Sequence, residues 1–156
     1  MPGSGKTTLG KLLAKELNKT FFDSDDFIEK IQNESIENIF KSKGEAYFRK
    51  LEKNILENTI IRLENSIIAT GGGLPVFYNN IEILKKIGLV VYIEEDVETL
   101  INRKDLESRP LLKENIKIKL KELYKKRVNI YEKAHIIINC NKKPMNHILK
   151  ELKSQL

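Results

Sequence analysis

The sequence has 156 residues, a formal net charge of +6 and 40% hydrophobic residues, which indicates one globular domain large enough to bury a core. Its one cysteine, Cys140, excludes a disulfide framework and a cysteine-based zinc site, and it favours a reducing cytoplasm. No apolar run approaches the roughly 20 residues of a membrane span, and we expect no signal peptide after Met1.

The positive charge is compatible with nucleic acid, an anionic membrane or anionic small substrates as partners. Five of the 28 basic residues are arginines, and the others are lysines that mostly follow helical patterns. The lysines are therefore expected on solvated helix faces. Arginine suits a two-pronged grip on carboxylate or phosphate, so each arginine is a candidate ligand contact.

The chain begins with a glycine-rich segment that leads directly into a helical pattern. It nearly completes the phosphate-binding pattern G-x-x-x-x-G-K-[ST] through Gly3, Ser4, Gly5, Lys6, Thr7 and Thr8. Glycines let backbone N–H groups approach phosphate oxygens. Lys6 can reach the β- and γ-phosphates of a nucleotide, and the Thr7 hydroxyl can bind Mg²⁺. The alternative is an ordinary Gly/Ser-rich segment before a helix.

The first glycine of the phosphate-binding pattern would fall one residue before Met1. A phosphate loop also follows a strand, and that strand is not in the sequence. We expect about ten further residues, mainly Val, Ile, Leu or Phe, to precede Met1, because neighbouring strands would otherwise carry unpaired backbone groups. The sequence thus predicts a truncation or a misassigned start.

Leucines at helical spacing predict an amphipathic helix over 6–17, and a short strand follows at 20–22. This strand runs into an acidic cluster of Asp23, Asp25 and Asp26. Open α/β sheets place ligand chemistry at the carboxyl ends of their strands. We expect one of the three aspartates to cap the next helix, at 27–32, which leaves two carboxylates for a ligand.

Ser35 is expected to cap a helix that passes Phe40 and stops before Gly44, and a longer helix is predicted over 45–63. Within the longer helix, Arg49 can share a face with Glu45 and Glu52. Arg49 is then either a ligand contact or part of an exposed salt bridge of little energetic value. The spacing alone slightly favours the salt bridge.

A buried strand is predicted at 66–70, and three consecutive glycines follow it at 71–73. Such a run is costly in entropy, and it suits a backbone that comes close to a ligand at a strand end. A flexible turn is the alternative. The next helix is expected to be capped by Asn79 or Asn80 and to end at Gly88.

The second half of the chain continues the alternation of strands and helices. Strands are predicted at 89–93 and 135–138, and helices at 96–103 and 115–133 and from Pro144 onward. A polar loop over 104–114 is long enough to be a lid. Arg127 falls on the apolar face of the helix at 115–133, where a cation needs an anionic partner such as a ligand carboxylate. The alternation predicts an α/β fold with a parallel sheet.

Several of these segments together resemble the shikimate kinase family, over essentially the whole chain. The segments are Gly-Ser-Gly-Lys-Thr at 3–7, Asp-Ser-Asp at 23–25, Gly-Glu-Ala-Tyr-Phe-Arg-Lys-Leu-Glu at 44–52, the glycines at 71–73, Arg-Pro-Leu-Leu at 109–112, and Arg127 before Tyr131. The resemblance implies a P-loop NTPase fold of the nucleoside-monophosphate-kinase type. That fold has three αβα layers around a central parallel sheet, a helical substrate-binding region at 25–63 and a lid at 103–114.

The resemblance also implies an activity, the transfer of the ATP γ-phosphoryl to the 3-hydroxyl of shikimate, on the route to chorismate and the aromatic amino acids. Asp25 would bind and orient the shikimate hydroxyls, and Arg49 and Arg127 would clamp its carboxylate. The remaining acceptor-side residues implied are Gly71, Gly72, Gly73, Glu52 as the partner that orients Arg49, and Phe40 and Phe48 as pocket walls.

On the ATP side, the resemblance implies that Lys6 and Arg109 neutralise the transferring phosphoryl group. Asp23 would hold Mg²⁺ through water, beside Thr7. The family commonly has an adenine-stacking arginine at the position of Asn102, with Arg103 as its neighbour here. Arg103 and Lys143 are therefore the expected adenine-side residues of this chain, although a lysine cannot stack as a guanidinium does.

Two alternatives to this activity remain. Gluconate kinases and nucleotide kinases share the phosphate loop and the lid, and gluconate also carries a carboxylate. A non-enzymatic nucleotide- or nucleic-acid-binding regulator would use the +6 charge, but the sequence has no basic and aromatic patch of a nucleic-acid reader. We therefore expect ATP and shikimate as partners, no nucleic acid or membrane partner, and a monomer.

Overall fold

A computed structural model describes residues 1–102 and 115–156. The helices are α1 (Lys6–Glu16), α2 (Ser24–Gln32), α3 (Ile36–Asn58), α4 (Asn80–Ile87), α5 (Val97–Ile101), α6 (Ile116–Tyr131) and α7 (Met145–Lys153). The strands are β1 (Thr20–Asp23), β2 (Ser66–Ala69), β3 (Val91–Glu94) and β4 (Ile136–Asn139), and a 3₁₀ turn spans Ile60–Arg62. The predicted lid at 103–114, with Arg103 and Arg109, lies outside the described residues.

The strands form two parallel pairs. β1 pairs with β2, so that Thr20 lies opposite Ser66 and Asp23 opposite Ala69, and β3 pairs with β4. Parallel strands with helical connections confirm the predicted α/β class. Between the two pairs no hydrogen-bonded ladder is found in the described ranges. The strand expected before Met1 stays a prediction.

Apolar side chains form three clusters around these strands. One joins α2, α3 and the segment after β2, through Ile28, Ile39, Phe48, Leu56 and Leu74. A second joins β3, α5 and α6, through Met1, Tyr92, Leu100, Leu120 and Tyr131. The third packs α1 and α7 against β4, through Leu9, Leu13, Ile138, Ile148 and Leu152. In the described part of the chain, no helix has both the length and the apolar character required to cross a membrane.

Helix α1 approaches β1 closely at Gly10. A Cβ at this position would lie 2.6 Å from the Phe21 ring, well inside the distance that real side chains allow. The absence of a side chain at Gly10 therefore sets how near α1 can lie to β1. Since Thr7 lies in the first turn of this helix and Asp23 ends this strand, the packing also sets the distance between those two side chains.

Several predicted boundaries are wrong by one turn of helix. Helix α2 begins at Ser24 rather than Phe27, because Asp23 caps it by accepting a hydrogen bond from the Asp25 backbone N–H (3.0 Å). The expected break at Gly44 is present as a kink with φ 79° inside α3. The second half of α3 ends at Asn58, not at 63. The Ser35 cap is confirmed, since its Oγ accepts from the Asn38 N–H (3.3 Å).

The predicted asparagine cap of α4 is confirmed in position but not in its side-chain hydrogen bond. Asn79 occupies the cap position, but its side chain makes no capping hydrogen bond. Asn80 is fully buried and donates instead from Nδ2 to the Leu74 carbonyl (2.9 Å). A buried amide must find an internal partner, and this requirement outweighs its preference for a helix terminus.

Candidate active site

A cleft of about 420 Å³ opens where β1 and β2 end. Its lining includes Gly3, Gly5, Lys6, Thr7, Thr8, Asp23, Asp25, Gly71 and Gly72, all of which the sequence singled out. The carboxyl ends of parallel strands share one edge of a sheet, so the fold brings the phosphate loop, the acidic cluster and the glycine run together.

The phosphate loop is a tight turn built on two glycines. Gly3 (φ 71°) and Gly5 (φ 82°) both adopt the left-handed conformation that glycine accepts most readily. Gly5 occupies the N-cap of α1 without a side-chain cap, which leaves the N–H groups of the first turn available to an anion. The geometry is therefore that of an anion-binding helix terminus.

Two polar side chains of the loop contact each other. The Lys6 ammonium donates to the Met1 carbonyl (2.6 Å) and to the Ser4 hydroxyl (3.2 Å). Ser4 is buried, and its hydroxyl donates to the same carbonyl (3.0 Å). Ser4 thus supports the loop from inside, whereas Lys6 belongs to the cleft lining.

A hydroxyl and a carboxylate meet at the mouth of the loop. Thr7 Oγ1 donates to Asp23 Oδ2 (2.8 Å), while Asp23 Oδ1 accepts the Asp25 backbone N–H. Each oxygen of this carboxylate therefore has a separate partner. Two hard oxygen donors side by side, next to a phosphate site, are the ligand chemistry that Mg²⁺ prefers.

Arg49 is buried, with 4% of its surface exposed, and it is not the exposed salt bridge that its spacing favoured. Its Nη1 donates to Glu52 Oε2 (2.6 Å) and its Nη2 to Glu45 Oε1 (2.8 Å). Aromatic rings surround the guanidinium at 4.5 Å (Phe77), 5.3 Å (Phe48) and 5.8 Å (Phe40). Two carboxylates and three rings thus hold one orientation of the cation.

Glu52 is the more deeply buried partner in this pair, with 1% exposed. Burial raises the pKa of Glu52 to about 7, although the Arg49 charge and hydrogen bond act against the rise; the nearby Asp25 carboxylate adds to it. Burial lowers the pKa of Arg49, but Glu52 and Glu45 outweigh that effect and the net change is upward. Arg49 therefore stays charged, while Glu52 titrates near neutral pH.

Each glycine of the run at 71–73 faces a different predicted site residue. A Cβ at Gly71 would overlap the Asp25 carboxylate, and a Cβ at Gly73 would overlap the Arg49 guanidinium. A Cβ at Gly72 would lie 3.5 Å from Arg127 Nη1 and 3.4 Å from the Tyr131 hydroxyl. Gly71 and Gly73 are required by space, since neither has a positive φ, whereas a Cβ at Gly72 would make ordinary van der Waals contacts. The run at 71–73, the glycine wall, is therefore closely packed and is not a flexible turn.

Arg127 lies on the buried face of α6, with 5% exposed, as its position in the pattern predicted. Its guanidinium lies beside the Tyr131 hydroxyl next to Gly72, and that hydroxyl donates to the Gly72 carbonyl (2.6 Å). Within residues 1–102 and 115–156, no carboxylate forms an ion pair with Arg127. Its guanidinium is the second buried cation beside the glycine wall.

Of the predicted adenine-side residues, Lys143 falls within the described part of the chain. Lys143 forms an ion pair with Glu151 (2.6 Å) and does not line the cleft. Arg103 and Arg109 fall on the segment that the structure does not describe. Among the described residues, no group of three or more His, Cys, Asp or Glu side chains could hold a metal ion.

Three site residues were not assigned from the sequence. Phe77 makes the closest ring contact with Arg49, yet it lies 28 positions away and follows no periodic pattern. Glu45 was noted only as a neighbour of Arg49 on its helix face. Tyr131 was noted four residues after Arg127 on the α6 apolar face and as part of the family resemblance, but it was given no role in the site.

Comparisons with known proteins agree on one family. The model of the shikimate kinase family, SKI, matches residues 2–156. A curated shikimate kinase of Clostridium botulinum (strain ATCC 19397 / Type A) is 49% identical over 144 residues, which cover 90% of this chain and 84% of the relative. Another from Sulfurihydrogenibium sp. (strain YO3AOP1) is 42% identical over 155 residues, covering 99% of this chain and 92% of the relative.

Solved structures of the same family share the fold. The shikimate kinase of Acinetobacter baumannii in complex with shikimate superposes with a TM-score of 0.92 at 37% identity, over 98% of this chain and 87% of that one. That of Aquifex aeolicus gives 0.85 at 39% identity, over 99% and 90%. On the strength of its sequence, its fold and the residues gathered at its cleft, the chain belongs to the shikimate kinase family.

Proposed function

We propose that this chain transfers the γ-phosphoryl group of ATP to the 3-hydroxyl of shikimate, giving shikimate 3-phosphate and ADP. The observation that carries the proposal is the glycine wall. It faces one carboxylate, Asp25, and two buried cations, Arg49 and Arg127, beside a phosphate-binding loop. An acceptor with one carboxylate and several hydroxyls matches this set of partners.

The phosphate loop provides the donor half of the site. The N–H groups at the start of α1 bind the phosphates of ATP, together with the backbone of Gly3, Ser4 and Gly5. The Lys6 ammonium moves from the Met1 carbonyl to a phosphate oxygen and stabilises the charge that develops on the transferring group. Thr8, at the edge of the cleft, contacts the phosphates from the same turn.

Thr7 and Asp23 fit a Mg²⁺ ion. Their oxygens already lie 2.8 Å apart at the mouth of the loop, with Asp23 aimed by its cap bond to α2. The Thr7 hydroxyl and, through water, the Asp23 carboxylate would hold the ion beside the phosphate loop. The bound ion would neutralise charge on the phosphates of ATP.

The acceptor half holds shikimate by its two ends. Arg49 and Arg127 bind the carboxylate, and Glu52, Glu45 and the rings of Phe40, Phe48 and Phe77 keep Arg49 in place. Asp25 binds the ring hydroxyls and orients the 3-hydroxyl toward the phosphate loop. A loose phosphoryl-transfer transition state needs little deprotonation of its nucleophile, so orientation is the main contribution of Asp25.

The region at 25–63, which spans α2 and α3, acts as the shikimate-binding subdomain, and 103–114 acts as the lid. Arg109 on the lid supplies a second cation to the transferring phosphoryl group. Arg103 and Lys143 contact the adenine side. For Lys143 this requires that its ammonium leave Glu151, with which it pairs at the protein surface.

We further propose that the protein works as a monomer in the cytoplasm and without nucleic acid. Its surface lysines support this, since many are paired with glutamates on helix faces, as in Lys41–Glu37 and Lys121–Glu98. Such pairing fits solvated faces rather than a basic surface for nucleic acid. Sedimentation of the purified protein, alone and with duplex DNA, tests both points.

The direct test is ADP release from ATP with shikimate, gluconate and nucleoside monophosphates supplied in parallel. Of these acceptors, we expect only shikimate to give turnover. ³¹P and ¹H NMR of the product should show phosphorylation at the 3-hydroxyl. Turnover with gluconate or with a nucleoside monophosphate instead would assign the chain to a different kinase. Nucleotide binding without turnover on any acceptor would favour the regulator.

A further inference from the structure

We propose that Tyr131 is a positioning residue that fixes the Arg127 guanidinium against the glycine wall, and so sets the distance between the two sides of the acceptor carboxylate site. This inference rests on the proposed function. Its physical basis is a single phenol oxygen that contacts both sides of the site.

The Tyr131 hydroxyl links two groups that are 55 residues or more apart in sequence. It lies beside the Arg127 guanidinium next to Gly72 and donates a hydrogen bond to the Gly72 carbonyl (2.6 Å), across a sequence separation of 59 residues. A phenol oxygen can accept from a guanidinium while its own proton is donated. The oxygen therefore joins α6 to the segment after β2 at the position where the carboxylate is expected.

The tyrosine is itself held rigidly. Tyr131 is 5% exposed, and its ring packs on the Tyr92 ring at 5.2 Å between centroids. Burial raises the pKa of Tyr131 even though the Arg127 charge acts in the opposite direction. The phenol consequently keeps its proton at neutral pH, where it can donate to the Gly72 carbonyl.

The two arginines of the acceptor site are thus oriented by different means. Arg49 is held by two carboxylates and three rings, whereas the described contacts of Arg127 place it against an uncharged phenol. A neutral partner positions the guanidinium without forming an ion pair. The Glu52 carboxylate interacts with Arg127 through its charge, and the orientation of Arg127 depends on the oxygen of Tyr131.

The molecule offers a matched control in Tyr92. Its ring packs on that of Tyr131 in the same apolar cluster, and its hydroxyl is also buried. Within the described residues, that hydroxyl has no hydrogen-bond partner. Tyr131→Phe and Tyr92→Phe therefore remove the same atom from neighbouring rings, but only the first removes a link between Arg127 and Gly72.

The first measurement is steady-state kinetics of both variants and the parent. We expect Tyr131→Phe to raise the KM for shikimate about tenfold, the effect of lost hydrogen bonds to a charged group. Its kcat and its KM for ATP should stay within about twofold of the parent, since the phosphate loop is untouched. Tyr92→Phe should leave all three values unchanged. An unchanged shikimate KM in Tyr131→Phe, or an equal rise in Tyr92→Phe, would overturn the proposal.

A double-mutant cycle separates positioning from general packing. If Tyr131 acts through Arg127, Tyr131→Phe should have almost no further effect on the shikimate KM in an Arg127→Ala background. Equal effects in both backgrounds would contradict the proposal.

The experiment also distinguishes failure of the inference from failure of the proposed function. A parent protein without ADP release on shikimate would refute the function. The cycle can then be read by calorimetric binding of shikimate, which does not require turnover. A parent that is active, with Tyr131→Phe equal to it, would refute only the role of Tyr131.

Discussion

The guanidinium of Arg49 occupies the space that a side chain at Gly73 would need. A Cβ at Gly73 would overlap Nη1 and lie too close to the rest of the guanidinium group. Because Arg49 is enclosed by Glu52 and three rings, it has little freedom to move aside. Gly73 is therefore part of the arginine site even though it contributes no side chain.

Gly73→Ala should displace Arg49, raise the KM for shikimate and lower stability by about 1–3 kcal/mol, the usual cost of overpacking. Gly88→Ala is the matched control, since Gly88 has an extended backbone and a Cβ there meets nothing within 4 Å. Thermal unfolding and shikimate kinetics of both variants test this. A Gly73→Ala protein with the parent's KM would show that Arg49 tolerates displacement.

Arg49→Ala should raise the KM for shikimate by a factor that corresponds to about 2 kcal/mol or more, because a buried charge contact is lost and Glu52 is left unpaired. Arg62→Ala, an exposed change on the 3₁₀ turn after α3, should leave the kinetics unchanged. Steady-state assays with shikimate varied at saturating ATP measure both. An equal change in Arg62→Ala would point to a charge effect rather than a carboxylate contact.

Arg109→Ala should mainly lower kcat, because a cation on the transferring phosphoryl group acts most strongly at the transition state. The same assay used for Arg49→Ala gives the comparison. If Arg109→Ala raised the shikimate KM while Arg49→Ala lowered kcat, the two roles would be exchanged.

Asp23→Asn should raise the Mg²⁺ concentration needed for half-maximal activity roughly tenfold, as expected for loss of an outer-shell metal partner. An asparagine can still accept the Asp25 N–H, so the cap of α2 and the melting temperature should be largely retained. Asp26→Asn removes an exposed charge from the same cleft and is the control. A Mg²⁺ dependence that shifts equally in both variants would argue for general electrostatics.

The raised pKa of Glu52 predicts a pH-dependent stability. Its pKa lies at about 7 in the folded protein, mainly because of burial, against 4.5 for the ordinary carboxyl group. Between these values the folded state holds a proton that the unfolded state has released, so this contribution is complete below pH 4.5 and is lost as the pH rises through about 7.

Glu52→Gln removes this titration while keeping the shape of the side chain. Urea unfolding of parent and variant at several pH values should show the parent losing stability relative to Glu52→Gln from pH 4.5 to about 7, and a constant difference above that range. A difference that does not vary with pH would mean that Glu52 keeps an ordinary pKa beside Arg49.

The chain segments of the site could be predicted from the sequence, but the neighbours of each side chain could not. The α/β class follows from alternating patterns, and the break at Gly44 follows from its residue type. The burial of Arg49 depends on Phe77 and Gly73, which no helical period connects to it. A spacing of four residues on a helix is the same for an exposed ion pair and for a buried one, so it does not predict burial.

Two N-cap residues lack their side-chain capping bond for a related reason. Asn79 and Asp96 both occupy N-cap positions, yet neither side chain makes the capping bond. For Asp96, the backbone N–H instead donates to Asn141 Oδ1 (2.6 Å), a residue 45 positions later. Local preference is overridden where a distant partner supplies a hydrogen bond, and one sequence does not reveal such partners.

Asp23 and Asp25 join the two halves of the site through three consecutive residues. Asp23 serves the phosphate loop, and Asp25 faces the glycine wall, at the first turn of one helix. The spacing between donor and acceptor is therefore set by chain connectivity. Inserting a single residue between them would turn Asp25 by about 100° around the axis of α2, away from the cleft, and no repacking elsewhere could restore the register. Ser24 between them is fully buried and accepts the Gly71 N–H (2.9 Å), so this segment should tolerate neither a change in length nor the loss of that hydroxyl.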